Sequence, residues 1–206
     1  WSYSTSTGKS TVLRVAGSCW GNPDEKAAAS VLNTWDNTNV SIERTAMMLN
    51  GLPLLLDDTK LASTSFNKNW GSSLVSHIIY LITSGKGRGR GSISGLRNRG
   101  SWRTILLSSG EQKATEFTQD GGSRARVISL WGAPFDVADN STGQLVNEVN
   151  LAVRQNYGHA GPKLMKFIFA HKDEWDRWQE SYLQNQKEFA EKAGSNEVAI
   201  RISDYF

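Results

Sequence analysis

Apolar positions fall into two patterns along this chain, and the pattern changes near residue 140. Before it, short apolar runs alternate with stretches in which apolar residues recur every three or four positions; after it, only the second pattern remains. Residues 9–20 read as a helix with Val12, Leu13, Val15, Ala16 and Cys19 on one face, stopped by Gly21-Asn22-Pro23. Residues 27–34 fit a helix, or a short strand at 31–35. A helix over 42–49, capped by Asn39 or Ser41, ends at Asn50-Gly51. Leu52-Pro53-Leu54-Leu55-Leu56 is an unbroken apolar run ending in Asp57-Asp58, the pattern of a strand buried on both faces, with Pro53 at its tolerant first position. Residues 70–83 predict a helix, and the Gly/Arg stretch 84–91 a mobile loop or tight hairpin. A strand over 102–107 leads into Ser108-Ser109-Gly110-Glu111, followed by a helix at 112–118 and a strand at 124–130. Residues 144–155, 162–170 and 172–192 read as amphipathic helices. Strands alternating with helices imply an α/β domain whose mostly parallel sheet is covered by helices on both faces. The expected division is a core at 1–135 and a C-terminal helical region at 136–206.

In such sheets ligands bind beyond the C-terminal ends of the strands, where Gly8, Asp57 and Ser109 would converge. Residues 3–10 match the phosphate-loop pattern G-x-x-x-x-G-K-[ST] except that Tyr3 replaces the first glycine. The chemistry needs backbone N–H groups around phosphates, a helix N-terminus aimed at them, a lysine and a hydroxyl. Ser6, Thr7, Gly8, Lys9, Ser10 and Thr11 are the candidate nucleotide-binding residues; an ordinary turn into a helix is the plainer reading of the tripeptide alone. Asp57 and Asp58 at a strand end supply the second half. Ser10 and Asp57 would hold Mg²⁺, and Asp58 would polarise the attacking water of ATP hydrolysis. Asp58 stands where glutamate is more usual and is one methylene shorter. Ser108 or Ser109, at the end of the next strand, is a candidate for orienting water or contacting the terminal phosphate, Ser109 being the one preferred. Arg124 and Arg126 are candidates for an arginine finger given to a neighbouring subunit, or else surface arginines at a strand edge.

Charge adds one feature. The net charge is only +3, but Lys86, Arg88, Arg90, Arg97, Arg99 and Arg103 follow one another without an acidic residue. Contact with a polyanion and a solvated basic loop explain this equally well. Lys86, Arg88 and Arg90 are the candidate nucleic-acid contacts. Trp175 and Trp178, three apart on a helix, suit packing better than base stacking, as do Trp20, Trp35, Trp70 and Trp102. A single cysteine, Cys19, excludes an internal disulfide framework, and with His77, His159 and His171 cannot build a Cys/His metal cluster. No run approaches the ~20 apolar residues of a membrane span and no signal peptide opens the chain, so a cytoplasmic protein without membrane contact is expected. The phosphate loop is already under way at Trp1, with most of the strand that should feed it lacking, and no helix stop precedes Phe206. The chain therefore reads as a piece of a longer protein.

Ser4-Thr5-Ser6-Thr7-Gly8-Lys9-Ser10-Thr11, Leu52 to Asp58, Gly85-Lys86-Gly87-Arg88, Trp102 to Glu111, Arg124-Ala125-Arg126-Val127 and Asn156 to Gly161 together resemble the DUF927 family. This family occurs in phage, plasmid and integrative-element proteins, often joined to primase or Toprim modules. The resemblance implies a P-loop NTPase fold of the RecA/AAA+ division. It further implies a helicase-like, DNA-dependent ATPase acting in mobile-element replication. Such a protein would work as a homo-oligomeric ring on single-stranded DNA, using ATP and Mg²⁺, with Arg124 or Arg126 completing a neighbour's site and the 86–90 loop gripping the phosphate backbone. A non-hydrolysing nucleotide switch or assembly module is the alternative, favoured by Tyr3 and Asp58.

Overall fold

Leu54, Leu55 and Leu56 are almost completely buried, and they decide the architecture. In the computed structural model, which describes residues 1–2, 7–63, 68–92, 95–96, 98–113, 116, 121–135, 139–196 and 199, they open the central strand of a three-stranded sheet. In chain order the core elements are α1 (Lys9–Ser18), β1 (Leu32–Thr34), α2 (Asn39–Met48), β2 (Leu54–Asp57) and α3 (Lys68–Ser84). Then come β3 (Gly91–Ser92), β4 (Gly95–Leu96), β5 (Leu106–Ser108) and the single turn α4 (Gly121–Arg124). The sheet order is β1-β2-β5 and both pairings are parallel, with Leu32 opposite Leu55 and Leu54 opposite Leu106.

Side chains alternate across a strand, so β2 feeds two cores. Leu54 and Leu56 join Trp35, Ile42, Ala46, Val75, Ile78 and Trp102 under α2 and α3. Leu55 faces the other way, packing with Leu13 of α1 and Leu32 of β1. Helices therefore cover both faces. This is the α/β arrangement, helices on both faces of a parallel sheet, that the alternating pattern implies. The short strand at 31–35 is realised as β1. The helix N-cap, however, is Thr38, whose side chain accepts from the Ser41 N–H, rather than Asn39 or Ser41.

Two expectations need correction. Residues 124–130 form no strand: α4 takes the first of them and the rest run without regular structure, leaving Ile128 and Leu130 exposed. The apolar run at 102–107 forms a strand only from Leu106, because Trp102 is drawn into the α2/α3 core, where its indole N–H donates to Ile82 O at 2.9 Å. The expected helix at 112–118 lies mostly outside the described residues.

The Gly/Arg stretch is a hairpin. Lys86 bridges Ser101, Gly87 N–H donates to Gly100 O, and β3 pairs antiparallel with β4. Beyond the sheet lie α5 (Asn140–Gln155), α6 (Ala160–Ala170) and α7 (Trp175–Ala193), the last entered through a 3₁₀ turn, Lys172–Glu174. Asp139 caps α5 by accepting from Thr142 N–H at 2.7 Å. Asn150 ties α5 to α1, accepting from Arg14 and donating to Thr11. The α5–α6 link closes on the far end of α1, where Gly158 N–H donates to Ser18 O and Gly161 N–H to Cys19 O. The tryptophans pack: Trp35 and Trp102 are core, Trp20 lies against Gly161, Trp178 stacks on Phe167, and the Trp175 indole donates to Ile168 O. The Trp70 side chain lies outside the described residues.

Candidate functional site

Gly8 turns the chain into α1 with φ of +86°, a conformation that costs glycine nothing. Any side chain there would collide with the Phe135 ring, so the position is glycine-only for two reasons. Helix α1 starts with no side-chain cap and no acidic residue in its first turn. Its first N–H groups are therefore unclaimed within the helix, and its dipole favours an anion in front of them. Lys9 stands at this end with its ammonium on Ser2 O at 3.1 Å and Thr7 Oγ1 at 3.4 Å. Thr7 and Ser10 are half-buried around it. The Thr11 hydroxyl accepts from Asn150, so it serves the α1–α5 contact. Ser6 lies outside the described residues.

A chain of contacts links this loop to the aspartates. Lys9 bonds Ser2 O, Ser2 N–H donates to Gly110 O, and the neighbouring Ser109 hydroxyl donates to Asp57 Oδ1. Asp57, at the C-terminal end of β2, is buried, and its carboxylate also accepts from Asp58 N–H at 3.1 Å. Gly110 packs so closely on Thr59 that a Cβ there would strike the Thr59 hydroxyl. Asp58 is the one non-glycine residue with positive φ among those described, at +57°. Its carboxylate turns back to accept from Lys60 N–H at 3.1 Å, opening the 3₁₀ turn Thr59–Ser63. Strained backbone of this kind concentrates at functional sites.

The sequence expectation thus has Lys9, Asp57 and Ser109 on one network. An uncapped helix N-terminus, an ammonium and hydroxyls suit a polyphosphate; a buried carboxylate near the Ser10 hydroxyl's helix suits a magnesium ion, which takes oxygen ligands. The residues present fit both groups. No cluster of three or more His, Cys, Asp or Glu suitable for a metal occurs among the described residues.

The model for DUF927, a domain of unknown function, matches residues 1–101. The matched stretch holds Gly8-Lys9-Ser10, both aspartates and the basic hairpin as far as Ser101, whereas Ser109, Glu111, Arg124 and Arg126 lie beyond it. Among solved structures, the chain is similar to one described as "SCCmec type IV Cch - active helicase", with a TM-score of 0.69 and 24% identity. The likeness covers 97% of this chain and 34% of that one, so the chain spans about a third of the helicase's length. What it shows is a shared fold. No curated protein matches. No helix among the described residues is long and apolar enough to cross a membrane.

The remaining candidates are spread apart in role. Lys86 and Arg88 are exposed on the hairpin. Arg90 is not free: it grips Glu43 with two parallel bonds, Nη1 to Oε1 at 3.2 Å and Nη2 to Oε2 at 2.7 Å. Glu43 is only 3% exposed, so this is a charge pair anchoring the hairpin to α2. Arg97 lies outside the described residues, and Arg99 is exposed beside Gly89. The His77 ring lies next to Arg88, and burial together with that guanidinium pushes its pKa below the ordinary histidine value, against a smaller opposing pull from Glu43. Arg124 is exposed at the end of α4, while Arg126 donates to Gly122 O and lies over the Tyr80 ring.

Sequence reasoning missed the Glu43–Arg90 pair, the Asn150–Thr11 contact and the Lys60–Glu111 ion pair at 3.3 Å. Only the first left a signal: Glu43 sits between Ile42 and Ala46 on the buried face of α2, where an acid needs a cationic partner.

Proposed function

We propose that the chain is the nucleotide-binding core of a helicase-like, DNA-dependent ATPase of mobile-element replication. The observation that carries it is the network joining Lys9 at the uncapped start of α1 to Asp57 through Ser2, Gly110 and Ser109. In this reading the N–H groups from Thr7 to Thr11 surround the phosphates of ATP, and Lys9 leaves Ser2 O and Thr7 to meet the terminal one. Ser10 and Asp57 hold Mg²⁺, which when bound neutralises charge developing on the phosphates. Ser109 keeps the Asp57 carboxylate oriented. Asp58 polarises the attacking water once its bond to Lys60 N–H is released. Lys86 and Arg88 meet the phosphate backbone of single-stranded DNA, with Arg90 fixing the hairpin that presents them. Arg124, exposed where Arg126 is engaged within its own chain, is the stronger candidate for completing a neighbour's site in a ring. The similarity in fold to an active helicase supports this reading, as does the match of residues 1–101 to the DUF927 model.

One observation favours a second reading, a nucleotide switch that binds without turnover: the Asp58 carboxylate is already occupied in capping its own turn. Hydrolysis of ATP by the full-length protein, with and without single-stranded DNA and against Lys9→Ala, separates them. DNA-stimulated turnover lost in Lys9→Ala is the expected result. Tight ATP binding without turnover would establish the switch, and ATP affinity unchanged by Lys9→Ala would overturn the site itself.

A further inference from the structure

Lys60 serves two partners at once. Its backbone N–H donates to Asp58 Oδ1 at 3.1 Å, and its ammonium lies 3.3 Å from Glu111 Oε2. The first bond holds the carboxylate that caps its own turn. The second ties that turn to the segment following β5. Both segments leave the C-terminal ends of β2 and β5, which pair in parallel, so they start side by side. Thr59 N–H donates to Ser109 O at 3.2 Å, and Gly110 packs on Thr59 too closely for any side chain. The Lys60–Glu111 pair is the outer fastening of this seam, with side chains 65% and 28% exposed.

Asp58 needs support of this kind. At φ of +57° it sits in the left-handed region, which a non-glycine residue keeps only when its surroundings hold it there. Its N–H is shared between Asp57 Oδ1 at 3.1 Å and Ser109 Oγ at 3.3 Å, and its carbonyl accepts from Leu61 N–H at 3.0 Å. Those bonds fix the main chain. The carboxylate is held separately, by the Lys60 N–H, and so depends on where the 3₁₀ turn Thr59–Ser63 lies. Glu111 grips that turn from outside through the Lys60 ammonium. An exposed ion pair biases such a position by no more than about fivefold, a strength that can be overcome in every cycle.

We propose that the Lys60–Glu111 pair is a catch on Asp58: it places the Lys60 N–H so that the Asp58 carboxylate stays folded back on its own turn, and opening the pair frees that carboxylate. The consequence rests on the ATPase reading above. With the catch closed Asp58 is withheld from the attacking water, and with it open Asp58 is available. Lys60 and Glu111 are therefore positioning residues that act through Asp58. Glu111 follows Ser109 by two residues, and the Ser109 hydroxyl donates to Asp57. One movement of the segment after β5 thus reaches both aspartates, through the hydroxyl that orients Asp57 and through the carboxylate that restrains Asp58.

Glu111→Gln in the full-length protein tests this with two readouts. Hydrogen exchange at the Lys60 amide is expected to quicken about two- to fivefold, the bias that an exposed ion pair supplies. At saturating ATP, kcat is expected to rise by the same factor while KM stays put; a pair with a merely structural role would leave kcat unchanged or lower it. Lys60→Glu combined with Glu111→Lys rebuilds the pair with its charges reversed and should return both readouts to the wild-type level. Unchanged exchange at Lys60 overturns the proposal. So does a kcat that holds or falls in a protein that turns over ATP, or a gain that the charge reversal does not undo. Faster exchange in a protein that binds ATP without turnover upholds the catch and overturns the ATPase reading alone.

Discussion

Residues 54–57 and 127–130 carry similar apolar character, yet one is the most buried strand of the molecule and the other is no strand at all. The difference lies in their neighbours. Leu54, Leu55 and Leu56 have a ladder on each side and a helix layer on each face. Val127 and Ile128 border an open cleft. Strand formation is therefore a property of the pair rather than of the segment. The two arginines of the hairpin repeat the lesson: Arg90 has a buried acid to meet and is fixed, whereas Arg88, two residues earlier, projects from the same arm.

The largest effect expected from this contrast is in β2. Leu56→Ala should cost about 2–5 kcal/mol in urea unfolding, against no more than about 0.5 kcal/mol for Ile128→Ala in the 206-residue chain. Similar costs for the two would remove the distinction. Next comes the arginine pair. Arg90→Ala leaves the Glu43 carboxylate buried without its partner and should cost about 2–3 kcal/mol, while Arg88→Ala should leave stability within about 0.5 kcal/mol. The reverse ranking would show that the hairpin is anchored through Arg88. Ser109→Ala withdraws the hydroxyl from Asp57 and from Asp58 N–H, and a loss of about 1–2 kcal/mol is expected from the same unfolding measurement. The smallest effect concerns pH. Because the folded His77 pKa lies below its unfolded value, its contribution is complete above about pH 6.5 and is lost as pH falls through that value toward the folded one. His77→Gln should reduce the fall in unfolding midpoint between pH 7.5 and 5.5; an unchanged fall would assign the pH dependence to other groups.

Much of the fold was legible because its strongest signals are local. A helix start at Gly8-Lys9, an apolar run ending in two aspartates and the periodic helices after residue 140 each follow from short-range pattern. The chain of residues linking Lys9 to Asp57 was legible only in outline, since Ser109 could be placed at a strand end but Ser2 and Gly110 carry no chemical signature of their own. Arg90 shows the limit most clearly. Its neighbours in sequence are glycines and arginines, so charge alone groups it with Lys86 and Arg88, and only the buried Glu43, 47 positions away, separates it from them. The strand expected at 124–130 was misread for the corresponding reason, that its apolar residues join no sheet among the described residues.

Helix α1 is held at both ends. Its first turn follows Gly8, and carbonyls at its far end accept from Gly158 in the α5–α6 link and Gly161 at the start of α6. Ten residues at 1.5 Å each make a stiff rod about 15 Å long. A rod gripped this way transmits displacement instead of absorbing it. A push on the α5–α6 link is delivered along the axis to Gly8, and a shift of Gly8 is returned to that link, which couples the Gly8-Lys9 turn mechanically to the C-terminal helices.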